Sequence, residues 1–395
     1  MKKHFTSYIF IASLGVVFNA PFCLSQTSIV LNNGAELSYQ TGDVDLSDYS
    51  GELSEITYYS PDGEILTAEN VLVQTNKNTQ DGHSKNKNSS NEELIYKLVE
   101  INKFEISSER EPYNLSANLI ELRDFPHSLI TRLFEKGEDT YVNENFLTNF
   151  EWDIRKISPK LKLLAVDFTL NGIFLETENI KADIYPVSDK SAKAPYLLNF
   201  ELIIENSNLT PIGDSEIAAS LASTLSDLDL QKLSLSLFAK SQLSQINDIQ
   251  HAKFDIRLIA NQLFGATIYL YMEYPVLENT LEVEKTELAM KLLPQVKLHK
   301  IEIELEDFGL NSRLSNPRLN DYHSAAENLR NFLVANMPAN GKRLSIPITK
   351  FAYNGGKLSL LLHPRTPKPI ALIASMLLFP DLIVEEFAIS SAHHP

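Results

Sequence analysis

Cysteine is nearly absent from this chain: Cys23 is the only one in 395 residues. Thiol catalysis, CxxC redox chemistry and thiolate metal sites fall away with it. No disulfide can staple the fold, so stability must come from a packed core. Basic residues are also in short supply. Lys and Arg number 35 against 51 Asp and Glu, a formal charge of −16, and the Lys342-Arg343 pair belongs to no larger basic cluster. Such a chain repels phosphate backbones, which excludes nucleic acid as a partner. The nucleophile elbow GxSxG, the Walker A loop and HExxH are all missing. Long apolar runs are missing too, since none reaches the roughly 20 residues that span a bilayer as a helix.

The longest apolar stretch near the start has a different reading. Lys2 and Lys3 precede the run Tyr8–Phe18, and Asn19 and Pro21 break it. A positive end, about 11 apolar residues and small side chains at Cys23 and Ser25 form the pattern of a secretory signal peptide. Residues 1–25 are therefore expected to be removed by cleavage before Gln26, taking Cys23 with them. A lipoprotein reading fails at two places: Phe22 stands where a small residue is required and Ala20 where Leu is usual. The expected location is the periplasm. The mature chain, residues 26–395, reads as one large β-rich envelope domain without a transmembrane segment. Two similar subdomains, 26–150 and 151–395, are the alternative.

What is abundant is alternation. Ile301, Ile303 and Leu305 alternate with charged residues across Lys300–Glu306, and Val166–Leu170 does likewise. Phe254–Ile259, Asn199–Ile204 and Ala266–Tyr274 are further strands, the last placing Tyr269 and Tyr271 on one face and Met272 and Tyr274 on the other. That tyrosine-bearing strand could present a ligand face, but a packed or scaffolding role is the favoured reading, since aromatic residues are common in strands. Leu94–Ile106 is a long strand whose apolar parity slips twice, the mark of a bulge or of cover on both faces. Ser60-Pro61-Asp62-Gly63 reads as a turn between two strands, and Asn354-Gly355-Gly356 as a hairpin turn. Gly63–Val71 recurs as Gly172–Ile180, consistent with a hairpin used at least twice. Residues 74–93 lack any apolar side chain and read as a disordered loop.

Helical patterns are few: 124–136, 214–225 with an apolar stripe at Ile217, Leu221 and Leu225, 320–336 with Leu329, Phe332 and Leu333, and the apolar 367–379. A further turn or two is expected within 382–389. Strands come in runs without βαβ alternation. The predicted class is a β-dominated α+β fold, with antiparallel sheets built of hairpins and about four packing helices.

No residue type at a telling spacing designates a catalytic, cofactor or metal site. Asp43, Asp45 and Ser47 begin like a calcium loop. Asp48 then stands where Gly is needed and Ser54 where a bidentate Glu is needed. Ser84-Lys-Asn-Lys87 matches SxxK but lies in the polar loop. His83, His127, His251, His299, His323 and His363 are scattered, so a metal site would need convergence over long range. Ligand-binding residues are not designated, and no cofactor is expected.

Residues 328–391 resemble one family. A helix at Leu329–Val334, a strand after a turn at Gly356–Leu362, the stretch His363-Pro364-Arg365-Thr366-Pro367-Lys368-Pro369 and an apolar segment ended by Pro380 follow one another. This order is similar to the C-terminal part of an exported alphaproteobacterial domain-of-unknown-function family, two-one-two-five. The hairpins at Gly63–Asn70 and Gly172–Asn179 also look like those of AsmA-type envelope proteins. The resemblance implies envelope location and a β-rich body, and brings no catalytic residues. The leading expectation is a non-catalytic envelope protein that binds a lipid or other amphiphile on a sheet face or acts as a scaffold, with an envelope lipid, glycan or protein as partner. An envelope hydrolase acting on glycan or ester substrates is the alternative. An outer-membrane barrel is the third reading, and the helical patterns argue against it.

Overall fold

The computed structural model describes residues 27–30, 34–45, 50–75, 95–108, 113–126, 158–186, 198–247, 249–275, 294–314, 316–337, 340–370, 372–373 and 386–395. The expected signal peptide, the polar stretch 74–93 apart from Gln74 and Thr75, which are strand and not loop, and the bulk of the helical patterns at 124–136 and 367–379 lie outside them. Strands dominate, all pairing antiparallel, as the alternation predicts. The chain forms two compact units, residues 1–186 with 212–215, and residues 187–211 with 216–395.

Unit 1 is a strand meander: β1 (Thr27–Val30), β2 (Glu36–Tyr39), β3 (Thr41–Asp45), β4 (Ser50–Tyr59), β5 (Glu64–Thr75), β6 (Ile95–Ser108), β7 (Tyr113–Pro126), β8 (Lys160–Leu170) and β9 (Ile173–Pro186). From β3 onward each strand pairs with the next, while β2 pairs with both β1 and β4. A line of irregular backbone crosses the sheet. Glu55, Lys103 and Ala165, on β4, β6 and β8, all adopt the left-handed region, with φ of 51°, 49° and 47°. At this line the inward parity shifts by one residue. Leu53 is buried on one side of it and Ile56 and Tyr58 on the other; on β5, Val71 and Val73 give way to Ala68 and Leu66. A strict period of two would turn one half of each strand's apolar residues to solvent. The irregular row keeps both halves inward. On β6 the two parity slips have separate causes: Lys103 lies on this line, and the pairing with β5 shifts register at Gln74/Thr75, skipping Lys97.

The internal repeat is the turn and second strand of the β4–β5 and β8–β9 hairpins. Gly63 and Gly172 supply positive φ at the turns, which side chains disfavour. The core of this unit gathers Leu37, Leu53, Ile56, Tyr58, Leu66, Val71, Val99, Ile101 and Ile106, none more than 3% exposed.

Unit 2 contains β10 (Leu198–Pro211), α1 (Glu216–Asp227), β11 (Leu233–Ile246), β12 (Ile249–Ala260), β13 (Phe264–Pro275), β14 (Lys297–Asp307), α2 (Leu310–Arg313), α3 (Asn316–Asn336), α4 (Gly341–Asn354), β15 (Lys357–Pro364), β16 (Lys368–Pro369) and β17 (Phe387–His394). Strands β10 to β15 pair in sequence; β16 extends β15's place beside β14, and β17 pairs with β15. Among the described residues, no helix is long and apolar enough to cross a membrane.

Two helices fall where periodicity places them, α1 and α3. Their stripes are less buried than an apolar face predicts: Leu225 is buried, but Ile217, Leu329 and Phe332 are exposed. Helix α4 is not signalled by the sequence, because Gly341 opens it and Pro347 lies inside it. Gly341 is required by contact: a Cβ there would collide with the Leu333 backbone of α3. Pro347 cannot donate to the Arg343 carbonyl. The Ser391 hydroxyl of β17 donates to that carbonyl at 3.3 Å and to the Leu344 carbonyl at 3.0 Å. The helix is thereby tied to the sheet through the bond that proline removes.

Several expectations are corrected. Asn354-Gly355-Gly356 is not a hairpin turn; it ends α4, where the Gly355 amide bonds the Phe351 carbonyl, and then opens β15. Asp124–Pro126 end strand β7 rather than begin a helix. Lys368–Pro369 form a short strand against β14, and only Ile370, Leu372 and Ile373 of the described part are helical. Phe387–Ile389 belong to strand β17, whose partner β15 supplies the backbone bonds that a local turn would otherwise make.

Candidate functional site: the two faces of the β10–β15 sheet

Pairing registers place the side chains of unit 2 in straight rows across the strands. One face is apolar. Its first row runs Leu202, Ala239, Ile256, Ile268, Ile303 and Leu360 from β10 to β15. A parallel row carries Ile204, Leu237, Leu258, Ala266, Leu305 and Leu358, and a third includes Phe254, Leu270, Ile301 and Leu362. The rings of Phe200 and Phe254 lie 6.5 Å apart at its β10 end. Helix α4 covers the β15–β17 end, where Leu358 is buried. Away from it the cover ends: Ile256 is 37% and Ile268 39% exposed, although β12 and β13 are interior strands of the sheet.

The opposite face is polar. Glu201, Lys240, Asp255, Tyr269 and Glu302 form one row, and Phe238, Arg257, Thr267 and Glu304 the next. All of these except Glu302 line a trough of about 410 Å³ that Phe308 and Lys357 help to close. Charges of opposite sign are neighbours there. Lys240 Nζ lies 3.3 Å from Glu201, and Lys357 Nζ 2.9 Å from Glu304. Burial raises the Tyr269 phenol above its ordinary range, with Asp255, Glu304 and Glu302 adding to the effect.

Farther along the same polar face, three strands bring together groups that the sequence scatters. His251 on β12 is directly opposite Glu273 on β13. His299 reaches them through a bulge: Tyr271 pairs with Lys300 and Met272 with Leu298, so His299 has no ladder partner on β13. A bulge re-aims a side chain, and here it puts the imidazole beside Glu273. His299 Nε2 lies 2.7 Å from Glu273 Oε2, and Lys297 Nζ donates to Oε1 at 3.2 Å. Tyr271 orients both imidazoles. Its ring stacks on His299 at 4.3 Å, and its hydroxyl is 3.0 Å from His251 Nδ1. Lys253 Nζ lies 5.4 Å over the same Tyr271 ring. Burial pushes the Glu273 carboxyl up, but the hydrogen bonds and charges of His299 and Lys297 together outweigh it, and the group sits below its usual range.

The tyrosines divide as alternation predicts. Tyr269 and Tyr271 share the polar face; Met272 packs on the apolar side with Leu270 and Leu298. The other described imidazoles lie elsewhere, and His83 and His127 lie outside the described residues. His323 stacks on Tyr353 at 4.0 Å, His393 Nε2 bonds the Gly355 carbonyl at 2.7 Å, and His363 is exposed. The acidic stretch that begins like a calcium loop is partly strand: Asp43 and Asp45 lie on β3 paired with Glu52 and Ser50, while Ser47 and Asp48 lie outside the described residues. No protein-family model matches the chain, and no curated protein sequence matches it.

Proposed function

We propose that this chain is an exported, non-catalytic envelope protein whose second unit binds an amphiphile, an acyl-chain lipid, on the apolar face of β10–β14. The observation that carries the reading is the contrast between the two units. In unit 1 the inward aliphatic side chains of β4, β5 and β6 are buried almost completely. In unit 2 three aligned rows of aliphatic and aromatic side chains stand on interior strands, and none of those on β12 and β13 except Ala252 and Ala260 is buried. Apolar surface left in water costs about 25 cal/mol per Å² relative to burial. Ile256 and Ile268 are exposed and their row neighbours half-buried, and an apolar surface left open in this way suits a partner that covers it. Straight rows across the strands suit extended chains, and the opposite face carries ion pairs. Export and envelope location rest on the signal-like residues 1–25, and membership of the exported alphaproteobacterial family on residues 328–391; both belong to the proposal.

The test is a titration with a fluorescent fatty acid. Wild-type protein is expected to enhance and saturate the fluorescence, and Ile256→Asp with Ile268→Asp is expected to abolish the response while unfolding at nearly the wild-type temperature. Equal binding by both proteins would remove the assigned face, and no binding by either would remove the proposal.

A further inference from the structure

We infer that His251, Glu273 and His299 form a binding site for one first-row divalent transition ion, with zinc as the best-fitting ion. The three residues offer one ligand atom each, and these atoms lie within 4.8 Å of one another. Two imidazoles and one carboxylate are a donor set that zinc uses when it keeps a fourth position for water. Imidazole in place of thiolate also favours zinc, nickel or copper over calcium and magnesium, which take oxygen ligands.

The surroundings are those of an oriented site rather than a chance meeting of side chains. The ligands come from three neighbouring strands, so the backbone ladder fixes their spacing. His299 joins them only because of the β14 bulge. Tyr271 holds both rings, one by stacking and one by hydrogen bonding, a supporting role that metal-binding imidazoles commonly require. When His251 Nδ1 carries the proton and donates to the Tyr271 oxygen, its Nε2 holds a free lone pair. Lys297 engages only Oε1 of Glu273, leaving Oε2 on the His299 side. The His299 side chain is 22% and the Glu273 side chain 12% exposed, which keeps a path for an ion from solvent. Lys297, on Glu273 Oε1, and Lys253, over the Tyr271 ring, oppose a cation by charge, against an overall chain charge of −16. The site faces away from the apolar rows and does not depend on lipid binding.

The experiment is a zinc titration of the full chain, read by competition with a chromophoric chelator, and a cobalt titration read by visible absorption. The expected result is one tight equivalent of zinc and an intense tetrahedral-type cobalt spectrum. His299→Gln and Glu273→Gln, each close in shape to the original, are expected to lose the spectrum and weaken zinc by more than tenfold. Tyr271→Phe keeps the stacking, loses the hydroxyl and is expected to weaken zinc by about tenfold. His393→Ala with His394→Ala removes the tail imidazoles and is expected to change nothing. A chain that binds no zinc, or binds it equally well in all three site variants, would overturn the inference; so would binding that vanishes with the tail pair.

Discussion

Ile256 on β12 and Ile268 on β13 stand directly opposite each other, and both remain more than a third exposed in the middle of a sheet. Cross-strand aliphatic pairs normally stabilise a sheet by packing under a second layer. Here the second layer, α4, lies over the β15–β17 end of the face, where Ser391 bonds its backbone. The pair is thus placed for contact with something other than the described chain.

The stability cost of truncation is expected to separate the two units. Ile56→Ala removes a side chain that is 1% exposed and is expected to cost about 2–4 kcal/mol. Ile256→Ala is expected to cost well under about 1 kcal/mol, since the site has little packing to lose. Chemical denaturation of both variants checks this. Similar large losses would mean that the apolar face is already packed.

The left-handed row makes a second prediction. Ala165 has φ of 47° and is exposed. Alanine tolerates this region poorly, by roughly 1–2 kcal/mol, whereas glycine adopts it freely. Ala165→Gly is expected to stabilise unit 1 by about 0.5–1 kcal/mol, opposite to the usual effect of glycine within a strand. A lower melting temperature would show that the row is not held as described.

Asp167 and Glu176 are a like-charged cross-strand pair on β8 and β9. Burial first, and then the Glu176 charge, raises the Asp167 carboxyl above its ordinary value. A carboxyl raised in the folded state favours folding when protonated, and that contribution is lost as pH rises through its folded value. Asp167→Asn is therefore expected to stabilise the protein at neutral pH by about 0.5 kcal/mol and to lose that advantage in acid. Thermal melts across the range from neutral to acid pH read the difference.

Glu273 behaves with the opposite sign. Burial raises its carboxyl, but His299 and Lys297 bring the balance below the ordinary value of 4.5. Its contribution to stability is present above that value and is lost as pH falls through the lower folded value. With chelator present, wild type is expected to exceed Glu273→Gln in stability at neutral pH, with the gap closing in acid. A gap that is constant with pH would contradict the assigned ion pairs.

Much of this architecture was legible because strand alternation is local. Ile301, Ile303 and Leu305 announce both faces of β14, and the parity slips of β6 announce its irregularities. The Gly63 and Gly172 repeat identifies two hairpins from composition alone. Helix α4 was hidden by Gly341 and Pro347, which normally argue against a helix and are accommodated here by α3 and Ser391. Strand β17 was hidden because its identity depends on β15, which precedes it in the chain by a long interval. The polar cluster was illegible for the same reason. His299 and Glu273 are 26 residues apart, and a one-residue bulge decides whether they meet. Exposure of Ile256 and Ile268 was equally out of reach, since alternation reveals an apolar face but not what covers it.

The most direct measurement is native mass spectrometry of the protein purified from envelope extracts of its own cells, followed by denaturation and lipid analysis. The account predicts a bound acyl-chain lipid in wild type and its absence from the Ile256→Asp, Ile268→Asp variant. Lipid-free wild-type protein that also takes up no added fatty acid would contradict it.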